Sequence, residues 1–346
     1  MLLSDFDYCL PKELIAQKPC RPRDHSRLLV IIRKSHKIIH SYFYQLNKFL
    51  AKGDMLVLND SQVIPARLIG QKSTGGRVEI LLIKSLNGSN YFDFNCLNWL
   101  ALLKNYKNSE KKIIFLKNNC QIEPIKYFGN GLWKIQFSYC GERLRYLIYQ
   151  YGQAPLPPYI KTPSSLDDYQ TIYAQKKGSI AAPTAGFHFT NRVFDSLKKK
   201  GILTAKITLH VGLGTFQPVR SRHVEDHSLE SEQAEISYKT SQEINRLKKQ
   251  GGQIIAVGTT SVRTLESFAS KDNYLDSGVK DVNLFIYPGY RFKIIDGMLT
   301  NFHLPKSTPF LLVCALAGRS IIMQAYQEAI KKRYRFFSFG DSMLII

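Results

Sequence analysis

Gly251-Gly252-Gln253-Ile254-Ile255-Ala256-Val257-Gly258-Thr259-Thr260-Ser261-Val262-Arg263 is the stretch that decides the fold class. Just before it, Thr240-Ser-Gln-Glu243 has capping-box spacing and predicts a helix that the glycine pair ends. Gln253–Val257 is a short apolar run bounded by breakers and predicts a buried strand. The small residues Gly258–Ser261 then open a second helix, running through Phe268. Helix, strand, small-residue loop and helix is the signature of an α/β layered domain. The same texture extends in both directions. Upstream, Thr190 caps a helix to Lys200, Gly201 ends it, and a strand follows at Leu203–Val211. Downstream, Pro309 fits the first position of an apolar helix after Thr308.

Toward the N-terminus the proline cluster Pro155-Leu156-Pro157-Pro158 marks a boundary. From Leu68 to Gln153 the pattern is all-β. Leu68–Gln71 and Arg77–Ile83 flank a Gly75-Gly76 turn, and strands follow at Leu97–Leu103, Lys112–Leu116, Gln121–Ile125 and Leu132–Phe137. Short, regularly spaced strands predict a small barrel or sandwich. Before Arg67, prolines at 11, 19 and 22 precede an alternating segment Leu28–Ile32 and a buried run Met55–Leu58. The expectation is therefore a discontinuous α/β unit, residues 1–67 and 154–346, split by a β unit at 68–153.

The 346 residues carry 48 Lys+Arg against 27 Asp+Glu, a net +21. That excess favours polyanionic partners, because neutralised phosphates release counterions; a lysine-rich composition bias gives the same number. An apolar fraction of 44% with 22% charged residues predicts a packed core. Six scattered cysteines show no C-x-x-C spacing, so neither a zinc site nor a disulfide framework is expected. Asp5 and Asp7 stand where a signal segment would be basic and then apolar. The longest apolar run, Pro309 to Ala317, falls well below the ~20 residues of a membrane span. A cytoplasmic protein without a membrane partner is expected.

Several strand-to-helix junctions are crowded with small and polar residues. Backbone N–H groups approach ligands closely there, and helix starts offer partial positive charge. Gly212-Leu213-Gly214-Thr215 follows a strand but has Gln217 where a dinucleotide loop needs its third glycine. A tight turn explains it equally, as a helix cap explains Gly258-Thr259-Thr260-Ser261. His188 and His303 sit in loops with aromatic neighbours, and each reads either as a packed ring or as a proton carrier. His210 reads as structural. No Ser-His-Asp arrangement or paired carboxylate is legible.

Taken together the motifs resemble the S-adenosylmethionine:tRNA ribosyltransferase-isomerase family of the queuosine pathway. The resemblance spans nearly the whole chain. It runs through Phe6-Asp-Tyr, Leu14-Ile-Ala-Gln17, Pro22-Arg-Asp24 with Ser26-Arg27-Leu28, Gly53-Asp54, Leu58-Asn-Asp60 and Val63-Ile-Pro-Ala-Arg67. It continues through Pro155-Leu-Pro-Pro-Tyr-Ile160, Tyr169-Gln-Thr-Ile-Tyr173, Ala181–Thr190, His210–Phe216, Val257–Arg263 and Ile286-Tyr-Pro-Gly289. It closes with Thr300-Asn-Phe-His-Leu-Pro305 and Phe337-Ser-Phe-Gly-Asp341. Two departures stand out. His227-Ser-Leu-Glu-Ser-Glu232 replaces the family's usual His-x-Met-His-x-Glu, with Glu230 in place of the second histidine. Lys104-Asn-Tyr-Lys107 replaces Arg-Pro-x-Lys.

The resemblance implies an α/β/α sandwich interrupted by an inserted small β-barrel. It implies S-adenosylmethionine as co-substrate, no prosthetic group or metal, and a tRNA anticodon stem-loop as partner of a monomeric enzyme. The ribosyl moiety would pass to the aminomethyl group of 7-aminomethyl-7-deazaguanine at the wobble position, giving epoxyqueuosine-tRNA, adenine and methionine. The chemistry needs a base for a C5′ hydrogen acidified by the sulfonium, a hydrogen bond or proton for departing adenine, and a neutral amine. His188 and His303 are the expected proton carriers. Gly212, Gly214, Thr215, Thr259, Thr260 and Ser261 are expected to cradle S-adenosylmethionine. Asp60 and Glu232 are expected at ribose hydroxyls or cationic charge, and Arg67 and Arg263 at a carboxylate or phosphate, an ion pair being the alternative for each arginine. Thr190 and Asn301 stand within matched motifs and count as substrate contacts too. Phe187, Phe189 and Phe302 are candidates for stacking on the base. The rival readings are a tRNA-binding methyltransferase, which would release S-adenosylhomocysteine, and a non-catalytic tRNA-binding protein.

Overall fold

Two-residue alternation along the central strands sorts their side chains onto two faces, and each face is covered by helices. The computed structural model describes residues 1–88, 91–107, 113–212 and 219–346. Strands β1 (Arg27–Ile32), β2 (Lys37–Tyr42), β3 (Met55–Asn59) and β4 (Ser61–Val63) come first. The strands β5 (Arg67–Lys72), β6 (Arg77–Ser85), β7 (Asn98–Lys104), β8 (Ile114–Phe115), β9 (Gln121–Gly129) and β10 (Leu132–Phe137) follow, then helix α1 (Glu142–Tyr151). The remaining chain gives β11 (Lys176–Ser179), α2 (Asn191–Lys199), β12 (Leu203–Leu209), β13 (Glu232–Ile236), α3 (Tyr238–Lys249), β14 (Ile254–Val257) and α4 (Thr259–Ser267). It ends with β15 (Gly278–Val282), β16 (Gly297–Asn301), α5 (Thr308–Ala317), α6 (Arg319–Lys331) and β17 (Ser342–Ile345).

Nine strands form one sheet in the order β15-β13-β12-β3-β14-β16-β17-β1-β2. Leu29, Ile31, Met55, Val57, Ile254, Ala256, Met298 and Met343 point to one face, where they pack with Ile244, Val262, Phe310 and Ile322 of α3 to α6. Leu28, Val30, Leu56, Leu58, Ile255, Val257, Leu299 and Leu344 point to the other, against Val193 and Leu197 of α2 and Phe43 and Leu46 of a 3-10 helix. This is the expected α/β/α sandwich. Strands β5 to β10 close into a separate barrel around Trp99, Trp133, Ile80 and Ile135. The Gly75-Gly76 turn joins β5 to β6, and Gly75 takes φ +86°, a region glycine enters at little cost.

The sheet directions position the site. Strands β3, β12, β14 and β16 run parallel to their neighbours in that set, and β17 runs antiparallel to β16 and parallel to β1. One edge therefore collects the carboxyl ends of four strands and the starts of β17 and β1. Loops at such an edge hold ligands in open α/β sheets.

The structure departs from the sequence reading in four places. Residues 142–151, expected within an all-β stretch, form α1, whose Leu144, Leu147 and Ile148 have helical spacing and pack on the barrel core. Helix α3 starts at Tyr238, because the Ser237 hydroxyl accepts from Thr240 N–H at 3.1 Å and so takes the cap assigned to Thr240. Ser307 caps α5 in the same way, which makes Thr308 the first helical residue and Pro309 the second. Strand β9 extends to Gly129, past Ile125. Lys112, the start of one expected strand, lies outside the described residues.

Candidate active site

At the collecting edge of the sheet lies a cavity of about 310 Å³. Its walls come from Ala181–Ala185, from Val211 after β12, from Gly258-Thr259-Thr260 after β14, and from Thr300–Ser307 after β16. Pro158, Tyr159, Tyr169, Phe337 and Ser338 complete it. The starts of α4 and α5 both face it, so two helix N-termini lend it partial positive charge. Gly258 turns the chain into α4 at φ +88°, a conformation that favours glycine. Phe337 holds φ +70°, strained for a bulky side chain, and presents its ring to the cavity beside Tyr159 at 4.9 Å.

Asn301 ends β16 and connects the cavity to a buried relay. Its Oδ1 accepts from Thr184 Oγ1 at 2.8 Å, and its Nδ2 donates to His188 Nε2 at 3.2 Å. With Nε2 accepting, the ring proton sits on Nδ1 and is given to Ser26 Oγ at 2.7 Å. Both nitrogens are thus satisfied in the neutral ring. Burial, then the charges of Arg335 and Arg23, push His188 down to about 3. His188 is buried and does not line the cavity; Phe43 packs against its ring at 5.0 Å.

His303 does line the cavity. Its Nε2 lies 2.9 Å from Thr300 Oγ1, and burial pushes its ring down to about 3 as well. Its backbone is held from both sides: the N–H donates to Tyr326 Oη at 2.9 Å, and Tyr8 Oη donates to the carbonyl. The two histidines therefore titrate far below the near-neutral range expected from sequence. Each is a neutral hydrogen-bonding group at pH 7 in the substrate-free protein.

Of the other predicted residues, Thr259, Thr260 and Asn301 line the cavity. Thr260 Oγ1 accepts from Asn59 Nδ2 at 3.2 Å, which ties the start of α4 to the end of β3. Gly212 sits next to cavity-lining Val211, and its N–H donates to Glu232 Oε1 at 2.7 Å. Gly214 and Thr215 lie outside the described residues. Glu232 and Arg263, predicted as separate substrate contacts, pair with each other at 2.5 Å in a buried ion pair. Arg263 also donates to the carbonyls of Leu284 and Val282. Ser261 Oγ, in the first turn of α4, donates to the Val257 carbonyl at the end of β14 at 2.8 Å. Asp60 is buried under β12, accepts from Thr208 Oγ1 at 2.7 Å, and is raised above the usual carboxylate range by burial. Arg67 pairs with Glu79 across β5 and β6 at 2.9 Å, and Thr190 caps α2 while donating to Asp24 at 2.7 Å. None of these last six residues lines the cavity.

Phe187 and Phe189 belong to the core, where Phe187 stacks on Phe339 and Phe189 on Phe194. Phe302 contributes to the cavity wall while packing on Tyr326 and Phe336. The aromatic faces sequence reasoning passed over are Tyr159, Tyr169 and Phe337. Their motifs were noticed, but only the folded chain brings three segments so far apart to one wall. Of the departures, Glu230 is exposed, and Tyr106 of the second packs edge-on to Trp133 at 5.3 Å. Among the described residues no group of three His, Cys, Asp or Glu side chains could hold a metal ion. No single helix there is long and apolar enough to cross a membrane.

The family model described as queuosine biosynthesis protein matches residues 3–345. The chain belongs to the queuosine biosynthesis protein family. It is 48% identical over 353 residues to the S-adenosylmethionine:tRNA ribosyltransferase-isomerase of Symbiobacterium thermophilum, covering 100% of both chains. It is 45% identical over 351 residues to the protein of that name from Natranaerobius thermophilus, covering 100% of this chain and 99% of the other. The crystal structure of S-adenosylmethionine tRNA ribosyltransferase from Thermotoga maritima aligns over 99% of this chain and 100% of that one, with 34% identity and a TM-score of 0.55.

Proposed function

We infer that this family member is an S-adenosylmethionine:tRNA ribosyltransferase-isomerase. It transfers and isomerises the ribosyl moiety of S-adenosylmethionine onto 7-aminomethyl-7-deazaguanine at the wobble position, releasing adenine and methionine. The observation that carries the reading is the full-length match to proteins of that name, joined to a cavity at the sheet edge. In this reading residues 1–67 and 154–346 are the catalytic unit and 68–153 an inserted barrel.

Two helix N-termini suit the carboxylate of the methionine moiety. Tyr159 and Phe337 offer apolar faces to adenine or to the deazaguanine. His303 is the group we place at the reacting atoms. A neutral imidazole accepts a proton without first losing one, and a sulfonium nearby keeps it unprotonated. We assign His188 to positioning: it fixes the Asn301 amide, whose cavity face meets the substrate. Once His303 has taken the C5′ proton it is an imidazolium, and it can pass that proton to the departing adenine; buried His188, which does not line the cavity, takes part in neither transfer.

The test is incubation with S-adenosylmethionine and an anticodon stem-loop carrying the aminomethyl base, read by mass spectrometry. Free adenine with an RNA gaining a cyclopentene-epoxide unit is expected. S-adenosylhomocysteine with a methylated RNA would refute the reading. His303→Ala is expected to lower kcat by ~10²-fold or more with S-adenosylmethionine still bound.

A further inference from the structure

We propose that the outer face of α1, together with Lys177, is the surface on which the RNA backbone beside the reacting nucleotide docks. This rests on the functional reading above, and it names a place that reading leaves open. Helix α1 buries Leu144, Leu147 and Ile148 against the barrel and leaves tyrosines on its outside. Tyr146 is 58% exposed, and Tyr149 and Tyr151 are also exposed. Tyr149 also packs on Phe94 at 6.2 Å and Tyr151 Oη donates to Asn118 at 3.3 Å, so Tyr146 is the ring most open to solvent, and exposed aromatic rings are the usual stacking platforms for unpaired bases.

The charges around them suit a polyanion. Arg143, Arg145 and Lys177 are exposed on this face, with Glu142 the acid among them, bonded to Arg145 at 3.0 Å. Arg143 lies over the Tyr139 ring at 4.3 Å, and Lys177 Nζ lies over the Tyr149 ring at 5.3 Å. These cations are held beside aromatic faces, the arrangement that binds phosphate and base together.

The face leads to the cavity along two paths. Lys177 belongs to β11, four residues from cavity-lining Ala181, a reach of at most about 14 Å for extended chain. The end of α1 is fixed by Gly152, where an added Cβ would lie 2.0 Å from the Pro65 carbonyl oxygen. The chain then runs to Pro158 and Tyr159 in the cavity wall. A nucleotide held in the cavity therefore has neighbours within a few backbone steps of α1.

The experiment measures RNA affinity by anisotropy and RNA-dependent turnover for Tyr146→Ala, Tyr149→Ala and Arg143→Gln, using the anticodon stem-loop. Each lost ring is expected to raise Kd and KM for RNA roughly tenfold, with kcat within about twofold and S-adenosylmethionine affinity unchanged. Arg143→Gln is expected to reduce the slope of log affinity against log salt by about one. Unchanged RNA affinity in Tyr146→Ala, whose exposed ring makes folding failure an inadequate excuse, overturns the proposal. So does sedimentation showing that the substitution dissolves a dimer while RNA affinity stays the same. If the unaltered protein binds RNA and releases no adenine, the functional reading fails while the affinities still decide the surface.

Discussion

Replacing Glu232 with alanine should expose how much of the site depends on one buried charge. In the native protein its carboxylate takes Arg263 Nη1 at 2.5 Å and the Gly212 N–H at 2.7 Å, and both side chains are buried. Glu232→Ala leaves a guanidinium in that interior with only carbonyl oxygens, and removing one partner of such a pair costs about 3–5 kcal/mol. An unfolding entropy of about 2.1 cal/mol/K per residue makes ~0.7 kcal/mol/K over 346 residues, so the midpoint should fall by ~4–7 °C. Differential scanning calorimetry measures this directly. The paired variant Glu232→Gln/Arg263→Met, which leaves no orphaned charge, should recover most of the loss. A fall below 1 °C in Glu232→Ala, or a paired variant no better than the single one, would refute the reasoning.

Acid should begin to destabilise the protein as soon as the pH falls below 6.5. His188 and His303 are held near 3 and His210 near 4, so between those values and 6.5 only the unfolded chain takes up their protons. Their contribution is complete above pH 6.5 and is lost as pH falls, at about 1.4 kcal/mol per pH unit per ring. Urea titrations at several pH values should show a slope that His188→Asn flattens. Gly186→Ala places a Cβ 1.9 Å from Tyr173 Oη and should cost at least ~2 kcal/mol, part of which Tyr173→Phe restores by deleting that oxygen. Asn301→Ala should lower kcat/KM by more than tenfold and leave the midpoint within a few degrees; equal turnover would remove Asn301 from the site. The RNA KM of the unaltered protein should rise steeply with salt, and a flat profile would count against a basic docking surface.

The layers of the fold were legible because they depend on local patterns. Gln253–Val257 and Leu203–Val211 alternate with capped helices, and the short strands from Leu68 show their own rhythm. Helix α1 was missed because its three core residues fit a strand-rich neighbourhood as readily as a helix. The site was legible only in part. Thr259 and Thr260 at the start of α4, Asn301 at the end of β16 and His303 just beyond it do reach the cavity. Glu232 with Arg263, and Arg67 with Glu79, are satisfied by partners that only the folded chain reveals. The low histidine pKa values were out of reach for the same reason, since burial, and for His188 the charges of Arg335 and Arg23, exist only in the folded chain.

The order of strands in the sheet also governs how the chain comes into being. Strand β1 lies beside β17, with Ile31 opposite Ile345, and β3 waits between β12 and β14. The barrel strands are emitted as one local set and have no such wait. During synthesis the barrel is expected to fold first, domain by domain, while the earliest third of the sheet stays open. Sheet closure then needs β17, which joins β1 to β16. Until β17 is in place, β1 keeps an exposed edge and the Ser338 segment that leads into β17 has no sheet to anchor it at the cavity.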